Sequence, residues 1–126
     1  MKTVLVDTSV WVDHFRLGND ALVELLKLDL VMAHPLIVGE IACGTPPIRI
    51  QTLSDLNGLQ QTQQVSVREV LEFIERERLF GLGCGLVDLM LLASALMMPG
   101  VELWTLDQRL SALAERFGVL YRPIIH

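Results

Sequence analysis

Thr3-Val4-Leu5-Val6-Asp7-Thr8-Ser9-Val10-Trp11 is the stretch whose reading decides the fold. Thr3 to Val6 form an apolar, mostly β-branched run, the pattern of a strand covered on both faces. A carboxylate, Asp7, follows at once, and then two hydroxyls. Thr8 or Ser9 is placed to cap a helix whose apolar face is Val10, Trp11, His14 and Phe15, with Gly18 as its C-terminal stop. Asp7 is therefore expected on a strand-to-helix turn, at the carboxyl end of a central strand. Open parallel sheets bind their ligands at such ends.

Working outward, Asn19 is placed to cap a helix running to about Leu28, with Leu22, Leu25 and Leu26 as its stripe. Leu30 to Ala33 reads as a strand ended by His34-Pro35. Pro35 suits the first turn of a helix that runs from Leu36 to Cys43 and stops at Gly44. Glu40 sits inside that otherwise apolar helix. A further helix is expected over Ile48 to Leu56, then a Gln-rich loop and a brief strand near Thr62–Val65. Ser66-Val67-Arg68-Glu69 has capping-box spacing, and Val70, Leu71, Phe73 and Ile74 continue the helix, with Glu72 and Arg76 spaced as an ion pair on its wet face. Leu86 to Met98 is an apolar helix with Asp88 in its first turn. Val101 to Thr105 is a strand followed by Asp107, a helix over Gln108–Phe117 closed by Gly118, and a last strand at Val119–Tyr121.

Strands alternating with helices specify an α/β protein with a short parallel sheet and right-handed crossovers. At 126 residues the chain is expected to be one domain, residues 1–126, without repeat or linker. Apolar residues make up 52% of it, which excludes disorder. A net charge of -5 gives no basic field, so any nucleic-acid contact must come from a local patch. Cys43 and Cys84 lie far apart without Cys or His partners, and are expected to be free buried thiols in a reducing compartment, not a zinc site. Asp7 interrupts the first apolar run before a signal-peptide core could form. Leu79 to Val101 carries a single charge, but Asp88 would sit near mid-membrane at roughly 3 kcal/mol, and Gly81, Gly83 and Gly85 break its first half. A buried helix is the expectation there, and no membrane partner.

Four acids stand out: Asp7 and Asp107 after strands, Glu40 within an apolar helix, Asp88 in the first turn of another. Acids among apolar residues are uncommon unless paired or bound to a cation. Singly, each has a plainer role: a turn or cap for Asp7 and Asp107, a helix-dipole partner for Asp88, an arginine partner for Glu40. His14, His34 and His126 show no consistent placement and read as structural. Without His or Cys partners, clustered carboxylates are hard oxygen ligands suited to Mg²⁺ or Mn²⁺. Carboxylate-held divalent ions activate water and neutralise charge at a phosphate, so phosphodiester hydrolysis is the matching chemistry. An aspartyl-phosphate mechanism of the haloacid-dehalogenase kind needs a second Asp two residues after the first. Here that residue is Ser9.

The segments Val6-Asp7-Thr8-Ser9-Val10-Trp11, Val38-Gly39-Glu40-Ile41-Ala42-Cys43-Gly44, Gly85-Leu86-Val87-Asp88 and Leu103-Trp104-Thr105-Leu106-Asp107-Gln108-Arg109-Leu110 resemble, in that order, the motifs of PIN-domain nucleases. Length and motif order resemble the VapC-type toxins of toxin–antitoxin pairs. The resemblance implies a cytoplasmic Mg²⁺- or Mn²⁺-dependent endoribonuclease, with Asp7, Glu40, Asp88 and Asp107 as metal ligands and catalytic acids. Thr8 or Thr105 would supply a hydroxyl to that cluster. It further implies an RNA substrate, a cognate antitoxin whose tail occupies the acidic groove, and a tendency to form homodimers. Leu89, where a small residue is usual, and Gly39, where a polar one is common, depart from the pattern without removing an acid. The helices Asn19–Leu28 and Ile48–Leu56 are candidate antitoxin surfaces, although plain core packing explains their stripes as well. Among the cations, Arg109 is best placed for a phosphate contact, with Arg49, Arg68, Arg76 and Arg78 further off. The competing expectation is a catalytically silent PIN-like module that binds protein or RNA.

Overall fold

The structure, a computed structural model, describes residues 2–124. They form an α/β fold in the order β1 (Thr3–Val6), α1 (Thr8–Leu17), α2 (Asp20–Lys27), β2 (Val31–Ala33), α3 (Pro35–Ala42), α4 (Arg49–Asn57), β3 (Gln60–Gln61), α5 (Val67–Glu77), α6 (Leu86–Met97), β4 (Val101–Trp104) and α7 (Gln108–Arg116). The four strands make one sheet in the order β3-β2-β1-β4, and every pairing is parallel. β1 lies inside, with Leu5 opposite Met32 on one side and Leu103 on the other. The chain fills one side of β1 with β2 and β3, then crosses to place β4 on the other. That reversal creates a switch point between the carboxyl ends of β1 and β4.

Burial explains why the first stretch reads so clearly. Val4, Leu5 and Val6 are all at most 1% exposed, so helices cover both faces of the strand and no alternation survives. One apolar cluster joins them to Val10, Leu22, Ile37, Leu91, Leu92 and Leu110 from the surrounding helices. The helix ends follow their local chemistry. Asn19 accepts from Leu22 N at 3.0 Å, Pro35 opens α3, and Ser66 and Glu69 form a reciprocal capping box. Gly18 and Gly118 end their helices with φ of 72° and 74°, in the left-handed region.

Several expectations need correction. Asp7 itself, and neither Thr8 nor Ser9, occupies the N-cap position of α1, because both hydroxyls are engaged elsewhere. The third strand is Gln60–Gln61, ahead of the expected Thr62–Val65: Gln60 and Gln61 pair with Met32 and Ala33, and Val65 then turns into the core. The expected strand at Val119–Tyr121 reduces to one parallel bridge between Leu103 and Leu120. Leu103 exchanges backbone bonds with Val119 and Tyr121 there, and Pro123 follows soon after, with no amide to extend a ladder. Arg76 does not reach Glu72; its Nε lies 3.9 Å from Glu77 and its guanidinium covers the Phe73 ring. Both cysteines are free, but Cys43 is exposed and Cys84 half-buried. Among the described residues no helix is long and apolar enough to cross a membrane. α6 is instead a core helix with Leu91, Leu92 and Ser94 fully buried. His126 lies outside the described residues.

Candidate active site at the switch point

Asp7 leaves β1 where its backbone amide donates to Trp104 O of β4 at 2.9 Å, so the two strands still run together at this point. The residue is 6% exposed. A carboxylate so placed must be hydrogen-bonded, and two hydroxyls converge on one of its oxygens. Ser9 Oγ donates to Oδ2 at 2.8 Å, and Thr105 Oγ1 donates to the same atom at 2.8 Å. Those hydroxyls also organise the opposite wall. Leu106 N donates to Ser9 Oγ at 3.0 Å and Asp107 N to Thr105 Oγ1 at 3.0 Å. The turn after β1 and the turn after β4 are thereby tied into one unit across 98 residues of sequence.

Asp107 is the N-cap of α7, and its Oδ1 accepts from both Arg109 N and Leu110 N, at 2.9 and 3.0 Å. That leaves Oδ2 without a partner among the described residues. Asp88 lies in the first turn of α6, where its Oδ2 accepts a long bond from Gly85 N at 3.3 Å. Burial raises the Asp88 carboxyl above its ordinary value; the Gly85 bond opposes this, and the charges of Asp7 and Asp107 add to the rise. Asp88 thus feels the charges of both Asp7 and Asp107 across the switch point. Burial, then the charges of Asp88 and Asp107, also push the Cys84 thiol up, with Arg109 acting in the opposite sense. Cys84 thus stays protonated at neutral pH and is no thiolate ligand.

Glu40 stands apart from this group. It is exposed on α3, where it accepts from Thr8, the residue after Asp7, whose Oγ1 donates to Glu40 Oε1 at 2.7 Å. Among the described residues it forms no ion pair. Thr8 and Glu40 form one wall of a cleft of about 470 Å³ that Arg16 also lines. Nothing in the sequence alone marks Arg16, although Thr8, Val12 and Arg16 share one face of α1 at helical spacing. Ser9, expected as a candidate helix cap, instead bonds Asp7 two residues before it, the spacing of a local side-chain turn. Arg49 spends its guanidinium on the Ala42 and Gly44 carbonyls at the end of α3.

Among the described residues no three His, Cys, Asp or Glu side chains stand close enough to chelate a metal ion by themselves. Mg²⁺ does not require that, since it commonly keeps several waters and takes one or two carboxylates. The donor set here is carboxylate and hydroxyl oxygen around a buried aspartate, with no imidazole or thiolate among it. Such a set fits a hard divalent ion held partly through water.

A parallel sheet with acids gathered at its switch point defines a PIN-like domain. The chain is 44% identical over 116 residues to Ribonuclease VapC32 of Mycobacterium tuberculosis strain CDC 1551 / Oshkosh, covering 92% of this chain and 94% of the relative. The protein of the same name from strain ATCC 25618 / H37Rv matches to the same extent. The chain belongs to the VapC-type family of PIN-domain ribonucleases. No family model matches the chain.

Proposed function

We propose that this chain is a Mg²⁺- or Mn²⁺-dependent endoribonuclease, the toxin of a toxin–antitoxin pair acting in the cytoplasm, with Asp7, Glu40, Asp88 and Asp107 as its working acids. The observation that carries the reading is the buried Asp7 carboxylate, held by Ser9 and Thr105 at a switch point where Asp88 feels both Asp7 and Asp107. Family membership with proteins named ribonucleases supports it. A bound divalent ion would supply charge neutralisation at the scissile phosphate and a more acidic water. Asp7, with the unpartnered Oδ2 of Asp107, would hold that ion. The two hydroxyls keep the Asp7 carboxylate in one orientation, so little rearrangement is needed when substrate arrives. Asp88, whose affinity for protons is raised, is the group suited to take a proton from water. Glu40, steadied by Thr8, faces the cleft through which the RNA backbone would pass.

The antitoxin would use the neighbouring surface. A second cleft of about 410 Å³ lies between α1, α2 and α4, with Phe15, Leu26 and Leu56 in its wall. Leu22 and Leu25 of α2 serve the core instead, so the stripe divides between packing and surface. A homodimer belongs to the same proposal.

The test is cleavage of single-stranded RNA by the purified chain with chelator, Mg²⁺ or Mn²⁺, beside Asp7→Asn. Asparagine keeps the shape and removes the charge that holds a hard cation. Cleavage by the wild type that needs the metal, and its loss in a folded Asp7→Asn, is the expected result. Binding of RNA without cleavage under any metal would favour the silent module. Equal cleavage by the two proteins would remove Asp7 from the chemistry.

A further inference from the structure

The loop between α5 and α6 reads Gly81-Leu82-Gly83-Cys84-Gly85, and one of its glycines has a neighbour from the other side of the site. A methyl group built on Gly83 would stand 2.5 Å from Cδ, 2.7 Å from Nη1 and 2.9 Å from Nε of Arg109. Built on Gly81 or Gly85, it would meet nothing within 4 Å. Arg109, although exposed, therefore lies against the loop where Gly83 lacks a side chain, and a methyl there would push the flexible end of its side chain aside. Its backbone is pinned as well, because its amide caps onto Asp107 Oδ1 at 2.9 Å.

Among the described residues the guanidinium has no polar partner: Arg109 forms no ion pair and its guanidinium no hydrogen bond, although Asp88 and Asp107 act on the same thiol that it does. Arginine is permanently charged and carries five donors in a fork that matches phosphate oxygens. A seated, unpaired arginine beside an acidic cluster can draw a polyanion to a site that would otherwise repel it.

We propose that Gly83 is a positioning residue, whose absent side chain seats Arg109 to bind an RNA phosphate adjacent to the one cleaved. This rests on the ribonuclease reading above. Gly83 acts only through Arg109, and the pair contributes to substrate binding more than to the chemical step.

The experiment measures affinity for a short single-stranded RNA across salt concentrations, with Ca²⁺ in place of Mg²⁺ so that binding is read without turnover. Four proteins are compared with wild type: Arg109→Ala, Gly83→Ala, Gly81→Ala and the double variant Gly83→Ala/Arg109→Ala. One lost phosphate contact lowers the slope of log K against log salt by about 0.7 for a single strand. Arg109→Ala and Gly83→Ala should each show that drop, with KM raised more than kcat is lowered in Mg²⁺. Gly81→Ala controls for backbone strain, since its φ of 73° is as left-handed as the 89° of Gly83. It should keep the wild-type slope, and the double variant should match Arg109→Ala. An unchanged slope in Arg109→Ala overturns the proposal, whether or not Gly83→Ala folds. Equal effects of Gly81→Ala and Gly83→Ala, or a double variant weaker than Arg109→Ala, overturn it too. If the wild type neither binds nor cuts RNA, the ribonuclease reading fails first; if it cuts RNA with the same salt slope in every variant, only this inference falls.

Discussion

Thr105→Val removes one oxygen from the centre of the site and keeps the side-chain shape. That oxygen donates to Asp7 Oδ2 at 2.8 Å and accepts from Asp107 N at 3.0 Å. A hydrogen bond to a charged group contributes about 1.5–3 kcal/mol net. The Asp107 amide adds little, because its residue is exposed and water can take the place of the threonine. Ser9 still donates to Asp7 at 2.8 Å, so the carboxylate is weakened in its orientation but not orphaned. The expected loss is therefore about 1.5–3 kcal/mol, which for a chain of this size lowers Tm by about 5–15 °C. A double-mutant cycle with Asp7→Asn isolates the bond, and its coupling energy should exceed about 1 kcal/mol. Thermal and urea denaturation in chelator measure it. Cleavage should also fall about 10–100-fold, the usual effect of losing a group that orients a metal ligand. If the two substitutions add within about 0.5 kcal/mol, Thr105 contributes packing alone and does not orient Asp7.

Asp88→Asn tests the shared electrostatics. The folded-state pKa of Asp88 is raised, so the folded chain binds more protons than the unfolded one between the ordinary carboxylate range and that raised value. Stability from this group then falls as pH rises through the interval, and the penalty is complete only above the raised value. In chelator at neutral pH Asp88→Asn should melt higher than wild type, and the difference should vanish below the ordinary carboxylate pKa. Mn²⁺ at a hundredfold excess over Kd adds about 2.7 kcal/mol to a chain that binds it, and the variant should gain less; a lower melting point with an equal Mn²⁺ shift would make Asp88 only a helix-end residue. His34 gives a separate acid limb. Its Nδ1 caps α3 by accepting from Leu36 N at 3.0 Å, and burial pushes its pKa below the ordinary 6.5. Stability from His34 is present above pH 6.5 and is lost as pH falls through the lowered value, because the unfolded chain takes up the proton first. His34→Asn keeps a capping acceptor without a titration, so its stability should decline less between pH 6.5 and 5; parallel curves for the two proteins would remove His34 from the acid response.

What was legible in the sequence was local. The β1 run, the Ser66 capping box, Pro35 at the head of α3 and the glycine stops are all decided within a few residues. Backbone sterics and nearby hydrogen bonds act at that range, so the α/β order and the position of Asp7 at a strand end could be read directly. Where a strand is short and exposed, the signal fails. Gln60–Gln61 lies on the sheet edge with both residues exposed, so no alternation marks it, and only its pairing with Met32 and Ala33 makes it a strand. Leu120 meets the sheet through a single bridge to Leu103, which no propensity at Val119–Tyr121 could reveal. Acids at strand ends and on helices were visible one by one, but their assembly was not. Asp7 owes its setting to Thr105, 98 residues away, and Gly83 matters because of Arg109. Hydroxyls, glycines and arginines look alike in any loop. Their roles depend on which turns the parallel sheet brings to one edge, and that is decided only when the apolar faces of the flanking helices are buried together.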